Sequence, residues 1–238
     1  MTAALSPLEW EALSLSLKVA TWATIMSLPL GIFTAWVLAR HRFVGHGILN
    51  AVVHLPLVLP PVVVGYVLLV MLGRGGAIGG WLYDTFGIAL AFTWKGAAVA
   101  AAVMAFPLMV RAMRLSLEAV DPGLEHAART LGAAPLRVFF TITLPLMLPG
   151  VVTGSVLAFA RALGEFGATI TFVSNIPGET RTLPLALYTF TQVPGGENSA
   201  LRLAVLAVVV AVAALIASEA LERRVRRMTQ GEHQGSGS

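Results

Sequence analysis

The sequence predicts an all-α integral membrane protein with five transmembrane helices, and three observations carry that expectation. Hydrophobic residues make up 57% of the 238 positions and charged residues 12%, where soluble globular chains hold roughly 45–50% and about 25%. A chain so short of charge cannot cover a water-facing surface, so much of it faces lipid; the mean hydropathy is +0.81. The charges are also clustered, which leaves uncharged stretches long enough to cross a hydrocarbon core about 30 Å thick. The basic residues, finally, divide unequally between alternate loops, as they do across a membrane. The same composition excludes a soluble enzyme, a disordered regulator and a nucleic-acid binder despite a pI near 10.1. The absence of cysteine excludes a disulfide scaffold, an iron–sulfur cluster and a thiol nucleophile.

The first span is expected at about 12–39. It contains 21 uncharged residues from Val19 to Ala39, enough to cross at 1.5 Å per residue. It is too long for the apolar region of a signal peptide, and Arg40-His41-Arg42 follows it rather than preceding it. The second span, about 47–72, contains Pro56, Pro60 and Pro61; like Pro29 and Pro107, these predict kinks around a central path. His54 in this span is expected to be hydrogen-bonded between helices, since no second metal ligand accompanies it. Glycines 73, 75, 76, 79 and 80 read as a flexible external turn, with Trp81 and Tyr83 as interface anchors. The third span is expected at about 87–110, with Lys95 snorkelling from near its outer end. The fourth is expected at about 145–174 and the fifth at about 201–221. Pro177, Glu179, Arg181 and Pro184 argue against a clean crossing between them, which leaves 176–198 as an external or re-entrant segment. A single transmembrane domain is expected over 1–228, and 229–238 reads as a disordered tail.

Orientation follows from Lys and Arg near the span ends. With five crossings, Arg40, Arg42, Arg111, Arg114, Arg129, Arg137, Arg223, Arg224, Arg226 and Arg227 share one side, against Lys18, Arg74, Lys95, Arg181 and Arg202 on the other. The larger group marks the cytoplasm, so the N-terminus is expected outside and the C-terminus inside.

The cytoplasmic loop, 115–144, carries the most information. Asp121 is a good N-cap, Pro122 suits the first helical position, Glu125 lies near the positive end of the helix dipole and Gly132 supplies the stop. Leu124, Ala127, Ala128 and Leu131 share one face of this short helix. A second helix begins at Pro135 and feeds into span four. The apolar face fits either a helix resting on lipid headgroups or one docked on another protein. Its small alanines favour close approach by a protein partner.

Gly132, then nine residues, then Ile142-x-Leu144-Pro145 resembles the EAA loop of ABC importer permeases. The loop departs from the usual pattern, which has Glu six residues before the glycine. Here His126 holds that place and Glu125 precedes it, and Glu125-x-Ala127-Ala128-Arg129-Thr130-Leu131-Gly132 is similar to the molybdate branch. Residues 138–146, 158–168 and 175–184 resemble the same branch, although sulfate permeases share the Gly164-Glu165-Phe166-Gly167-Ala168 and Gly178-Glu179-Thr180 elements. The resemblance covers roughly residues 10 to 225. It implies the type I ABC importer permease fold and a homodimer with the path along its two-fold axis. It makes Leu124, Glu125, His126, Ala127, Ala128, Leu131 and Gly132 a coupling helix that sits on a cytoplasmic ATPase. Two ATP-binding subunits carrying ATP and Mg, and an external molybdate-binding protein, are the implied partners, with membrane lipid around the chain. The implied location is the cytoplasmic (inner) membrane of a prokaryote.

The chain itself has no Gly-x-x-x-x-Gly-Lys-Ser/Thr phosphate loop, and no catalytic residue, metal site or bound cofactor is expected in it. A doubly charged oxyanion needs a polar, hydrated path, yet one that binds it weakly. Thr153, Ser155, Thr169, Thr171 and Ser174 are candidate neutral donors along it, with backbone N–H groups near Gly164 and Gly167. Arg161 and Glu165, spaced i, i+4 in span four, read equally as a gate, with Gly164, Phe166 and Gly167, or as a self-neutralising packing pair. Three rivals stand beside molybdate import: a sulfate, thiosulfate or tungstate permease, an ATP-independent secondary anion carrier, and a membrane-embedded enzyme. The second predicts internal repeats and a mid-membrane charge cluster, and the third a ligand cluster or nucleophile–base pair; the sequence shows neither.

Overall fold

The computed structural model describes residues 6–231. Helix α1 (Pro7–Arg40) opens on a capping box. Ser6 Oγ accepts the Glu9 N–H at 3.3 Å, and Glu9 Oε2 accepts the Ser6 N–H at 2.7 Å. Helices α2 (His46–Val58) and α3 (Pro61–Leu72) follow. They are bent by 114° at the Leu59–Pro60 break, so the expected single helix over 47–72 is two. Pro60 and Pro61 donate no N–H, and each forces the residue before it into extended backbone: Leu59 sits at ψ 143° and Pro60 at ψ 133°. Pro56 stays inside α2.

Helix α4 (Ala77–Phe86) absorbs Gly79 and Gly80, where an irregular turn was expected. Its first turn folds back onto α3, and a β-carbon at Gly79 would meet the Gly73 and Leu72 carbonyls. The third long helix, α5 (Trp94–Glu118), starts seven residues later than the expected span at 87 and runs past 110. Gly87 ends α4 in left-handed backbone at φ +66°, and Thr93 caps α5 by accepting the Gly96 N–H at 3.3 Å.

Helix α6 (Pro122–Thr130) and α7 (Pro135–Val138) lead through a π-helical turn, Phe139–Thr143, into α8 (Leu144–Leu163). The span expected over 145–174 then breaks at 164–166, and α9 (Gly167–Val173) continues it. Helix α10 (Leu183–Thr191) lies in the segment that was expected to be external or re-entrant. Its nine residues span about 14 Å, too short to cross. The last helix is α11 (Glu197–Gly231); of the tail expected over 229–238, residues 232–238 lie outside the described residues.

Among the described residues, four stretches are long and apolar enough to cross a membrane: Pro7–Arg40, Trp94–Glu118, Pro135–Leu163 and Glu197–Ala217. The bent α2–α3 pair makes a fifth when counted as one span. Helix α5 is central, burying Ala97, Ala100, Ala101, Ala105, Met109, Val110 and Met113. Lipid is as apolar as these side chains, so close packing has to hold the helices together. Gly150 and Gly154 of α8 provide it: a β-carbon at either would meet Ser116 Cβ at 2.2 Å or the Met109 carbonyl at 2.9 Å on α5. A smaller core of Ala12, Leu13, Leu183, Ala186 and Leu203 ties α1 to α10 and α11.

Candidate functional site

Helix α6 forms as its sequence dictates. Asp121 Oδ1 accepts the Gly123 N–H at 2.8 Å, and Pro122 opens the first turn. At the other end Gly132 takes φ +85°. Its N–H reaches the Arg129 carbonyl at 3.0 Å, and the Ala133 N–H reaches Ala128 at 3.1 Å, the paired bonds of a Schellman stop. Leu124 is 48% exposed and Leu131 88%; His126 and Ala127 are exposed and Ala128 half-buried. Five of the seven residues expected on the docking helix, Leu124, His126, Ala127, Leu131 and Gly132, are therefore exposed on the helix or at its corner, and Ala128 is half-buried.

Glu125, by contrast, is 6% exposed and turns into its own chain. Its Oε1 lies 3.1 Å from Arg40 Nε and accepts the Thr143 hydroxyl at 3.0 Å. Arg40 Nη2 also donates to the Val120 carbonyl at 3.1 Å. Within the chain, Glu125 forms a buried ion pair joining α1, α6 and the π-helical turn. Removing one member of such a pair strands a buried charge, which costs about 3–5 kcal/mol. Sequence spacing placed Glu125 next to the apolar face of α6 but could not show an arginine 85 residues earlier behind it.

The gate candidates collect at the α8–α9 break. Arg161 Nη1 meets Glu165 Oε2 at 2.7 Å, in an ion pair outside hydrogen-bond geometry. Glu165, 3% exposed, accepts the Ala168 N–H through Oε1 at 2.8 Å, so it satisfies one free donor of the α9 start. Gly164 is exposed, and the Phe166 ring packs on Tyr188 with centroids 5.2 Å apart. Gly167 faces the other break, where its β-carbon would stand 2.7 Å from Pro61 Cβ. Two broken helix pairs, α2–α3 and α8–α9, thus interrupt side by side.

The hydroxyl path fares differently. Thr153, Ser155 and Thr171 donate to the carbonyls of Pro149, Val151 and Gly167 at 2.9, 2.7 and 2.9 Å, so their protons are committed within their own helices. Thr169 is 1% exposed, and Ser174 is exposed at φ +65°. His54 bonds the Asn50 carbonyl at 2.8 Å within α2, not between helices.

Sequence reasoning missed the polar contacts at the end away from α6. Glu9, 1% exposed, meets Arg202 Nη2 at 3.0 Å. Ser16 Oγ accepts the Leu183 N–H at 2.6 Å, and Glu179 Oε1 accepts the Trp94 N–H at 3.2 Å. The Ser6-x-x-Glu9 capping signature was there to find; the partners of Glu9 and Ser16, more than 160 residues away, had no local signal.

The family model described as "Binding-protein-dependent transport system inner membrane component" matches residues 27–227. The chain is 65% identical over 215 residues to the "Molybdenum transport system permease protein ModB" of Escherichia coli (strain K12), covering 90% of this chain and 94% of that one. It is 58% identical to the Haemophilus influenzae protein of the same description, covering 92% and 96%. It is 38% identical to the "Probable sulfate transport system permease protein cysT" of Chlorokybus atmophyticus, covering 78% and 64%. Among solved structures, a bacterial ABC transporter involved in importing the acidic polysaccharide alginate superposes with a TM-score of 0.73 at 16% identity, covering 92% and 80%. The MetNI methionine ABC transporter superposes at 0.63 and 19%, covering 92% and 94%. Those two identities speak to the fold alone, an ABC importer permease fold. By the match to most of its length and its identity to these relatives, the chain belongs to the family of binding-protein-dependent transport system inner membrane components.

Proposed function

We propose that the chain is the membrane-spanning subunit of an ATP-driven importer that moves molybdate across the cytoplasmic (inner) membrane by alternating access. The observation that carries this is the 65% identity, over nine-tenths of the chain, to a molybdenum transport permease, against 38% to a sulfate permease. That gap favours molybdate over sulfate or thiosulfate; tungstate, an anion of similar chemistry, is the expected co-substrate.

The chain acts as a homodimer. ATP and Mg belong to two cytoplasmic ATP-binding subunits, since the sequence has no phosphate loop of its own, and an external molybdate-binding protein delivers the anion. The exposed Leu124, Ala127 and Leu131 on a well-capped α6 support docking on the ATPase. Arg40 and Arg114 support a cytoplasmic α6 end, where they bond Glu125 and Asn50. On this reading the five spans are α1, α2–α3, α5, α8–α9 and α11, with the N-terminus outside. An ATP-independent carrier would need a charged substrate site in the membrane, and the Arg161–Glu165 charges already satisfy each other.

Reconstitution tests the proposal. The chain, an ATPase subunit and the binding protein are assembled in proteoliposomes, and uptake of labelled molybdate is followed with and without ATP. Uptake that needs ATP and is displaced by tungstate but not by excess sulfate is the expected result. Uptake without the ATPase subunit would sink the importer reading, and displacement by sulfate would sink the molybdate assignment.

A further inference from the structure

Helix α1 is clasped by polar groups near both of its ends, all buried or partly buried except Arg202, whose side chain is 51% exposed. At the α6 end, its last residue Arg40 holds Glu125 through Nε at 3.1 Å and the Val120 carbonyl through Nη2 at 3.1 Å. Thr143 donates to the same Glu125 oxygen. One turn back, the Trp36 ring packs edge-on against Phe139 of the π-helical turn, with centroids 5.8 Å apart. At the far end Ser16 Oγ accepts the first N–H of α10, from Leu183, at 2.6 Å. Glu9 Oε1 meets Arg202 of α11 at 3.0 Å, while its other oxygen is held by the Ser6 N–H at 2.7 Å. Ser16 and Glu9 are 2% and 1% exposed.

The route between the two clasps is one unbroken helix: Pro29 lies within it and donates no N–H, but α1 runs through it without a break. Arg40 lies 24 helical steps beyond Ser16, about 36 Å at 1.5 Å each. The covalent route from α6 is not continuous: it runs through α7 and α8 and is interrupted at 164–166 before α9 begins. A displacement of α6 carried along α8 alone would be taken up at that break, as happens where a few element-terminal residues absorb a backbone change. Carried along α1, it arrives undivided at α10 and α11.

We infer that Arg40 and Glu125 bind α6 and α1 into one rigid lever, and that Ser16 and Glu9 hand its motion to α10 and α11 at the opposite end. The inference rests on the importer reading and deepens it. Glu125 is then a positioning residue that transmits the ATPase stroke from behind the docking face, without itself touching the partner. Proximity does not establish coupling between distant sites, so the test breaks the clasp and then restores it.

The chain has no cysteine, so Arg40→Cys with Glu125→Cys can be joined selectively by a short bismaleimide in the purified chain, which is then assembled into the complete complex with ATPase subunits and binding protein. Co-purification of the ATPase, uptake and ATP hydrolysis are each measured. The unlinked pair is expected to dock the ATPase normally but to move about tenfold less molybdate per ATP, within the usual range of coupling between sites; cross-linking is expected to restore that ratio. Ser16→Ala, at the other end, is expected to lower the same ratio without touching docking. A native ratio in the unlinked pair overturns the lever, as does a cross-linked complex that stays inactive, because the clasp would then have to open in each cycle. Loss of docking in the unlinked pair also overturns it, by showing that the ion pair merely shapes α6. The unsubstituted complex separates the two levels of the argument: if it fails to take up molybdate with ATP, the importer reading fails and the lever with it.

Discussion

Gly65 of α3 lies so close to Ala168 of α9 that a β-carbon on it would stand 2.5 Å from the Ala168 carbonyl oxygen and 2.9 Å from its Cα. Both neighbouring atoms belong to backbone, which cannot swing aside as the end of a flexible side chain can. The contact sits beside the two helix breaks, and Gly167 against Pro61 repeats it one turn away.

Gly65→Ala should therefore push α3 off α9, at about 1–3 kcal/mol for an overpacked site. The expected outcome is a lower unfolding temperature in detergent and loss of ATP-driven uptake, with ATPase docking kept because α6 lies at the other end. Unfolding scans, uptake and co-purification check it together. Native uptake in this variant would show that α3 and α9 need not close on each other during transport.

A second prediction concerns Gly132. A β-carbon there meets nothing within 4 Å, so space is not the constraint; the φ of +85° is. Left-handed backbone costs an L-residue roughly 1–2 kcal/mol, and a β-branched side chain fits it worst. Gly132→Val should lose the Schellman stop, swing α7 relative to α6 and uncouple uptake from hydrolysis, while Gly132→Asn, which tolerates this backbone, should stay near native. Equal uptake per ATP in both variants would remove the corner from the coupling path.

How much of this was legible in the sequence depends on the range of the signal. The α6 helix was readable residue by residue, because its cap, first-turn proline and glycine stop are local and lie within a dozen positions. The long uncharged spans were readable for the same reason. Pro60-Pro61 was readable as a disturbance but not as a 114° break, since a proline pair shows that bonds are lost without showing where the chain goes next. The α8–α9 break was half-visible in Gly164 and Gly167; that Glu165 would cap α9 needed coordinates. The inward turn of Glu125 was invisible. A helix's periodicity says which residues share a face, not which face finds a buried arginine on another element.

The third prediction follows from Glu165. Its carboxylate serves the Ala168 N–H and Arg161 at once. Glu165→Gln keeps an acceptor for the N–H and gives up only the charge, whereas Glu165→Ala leaves both groups unserved. Arg161 keeps partial access to water, with a side chain 28% exposed, so its loss of a partner is softened. The mirror change, Arg161→Gln, strands a carboxylate whose side chain is 2% exposed. The expected order of thermal stability is native, then Glu165→Gln, then Glu165→Ala and Arg161→Gln, the last two lower by about 3 kcal/mol, near the foot of the range for a broken buried pair. A structural pair predicts that uptake follows this stability order. A gate predicts that Glu165→Gln, though stable, loses uptake or leaks molybdate without ATP. Measuring leak in the stable variant separates the two roles, and a tight, fully active Glu165→Gln would leave the pair with packing alone.

The fourth prediction contrasts the two sides of α6. Leu131 is 88% exposed, so Leu131→Asp removes an apolar side chain at almost no cost to the fold. If that face docks on the ATPase, the lost burial weakens docking by about 1.5–3 kcal/mol, roughly ten- to a hundredfold in dissociation constant. Ala127→Glu should act in the same direction by adding bulk and charge to an exposed small position. Glu125→Gln, on the inner side, keeps an acceptor for Arg40 and Thr143 and presents nothing new outward, so ATPase affinity should stay native. Titrating the purified ATPase onto the chain in nanodiscs reads all three. Were Glu125→Gln to weaken docking while Leu131→Asp left it alone, the face assignment would be reversed: the apolar side of α6 would rest on lipid headgroups, and the partner would have to bind elsewhere on the loop.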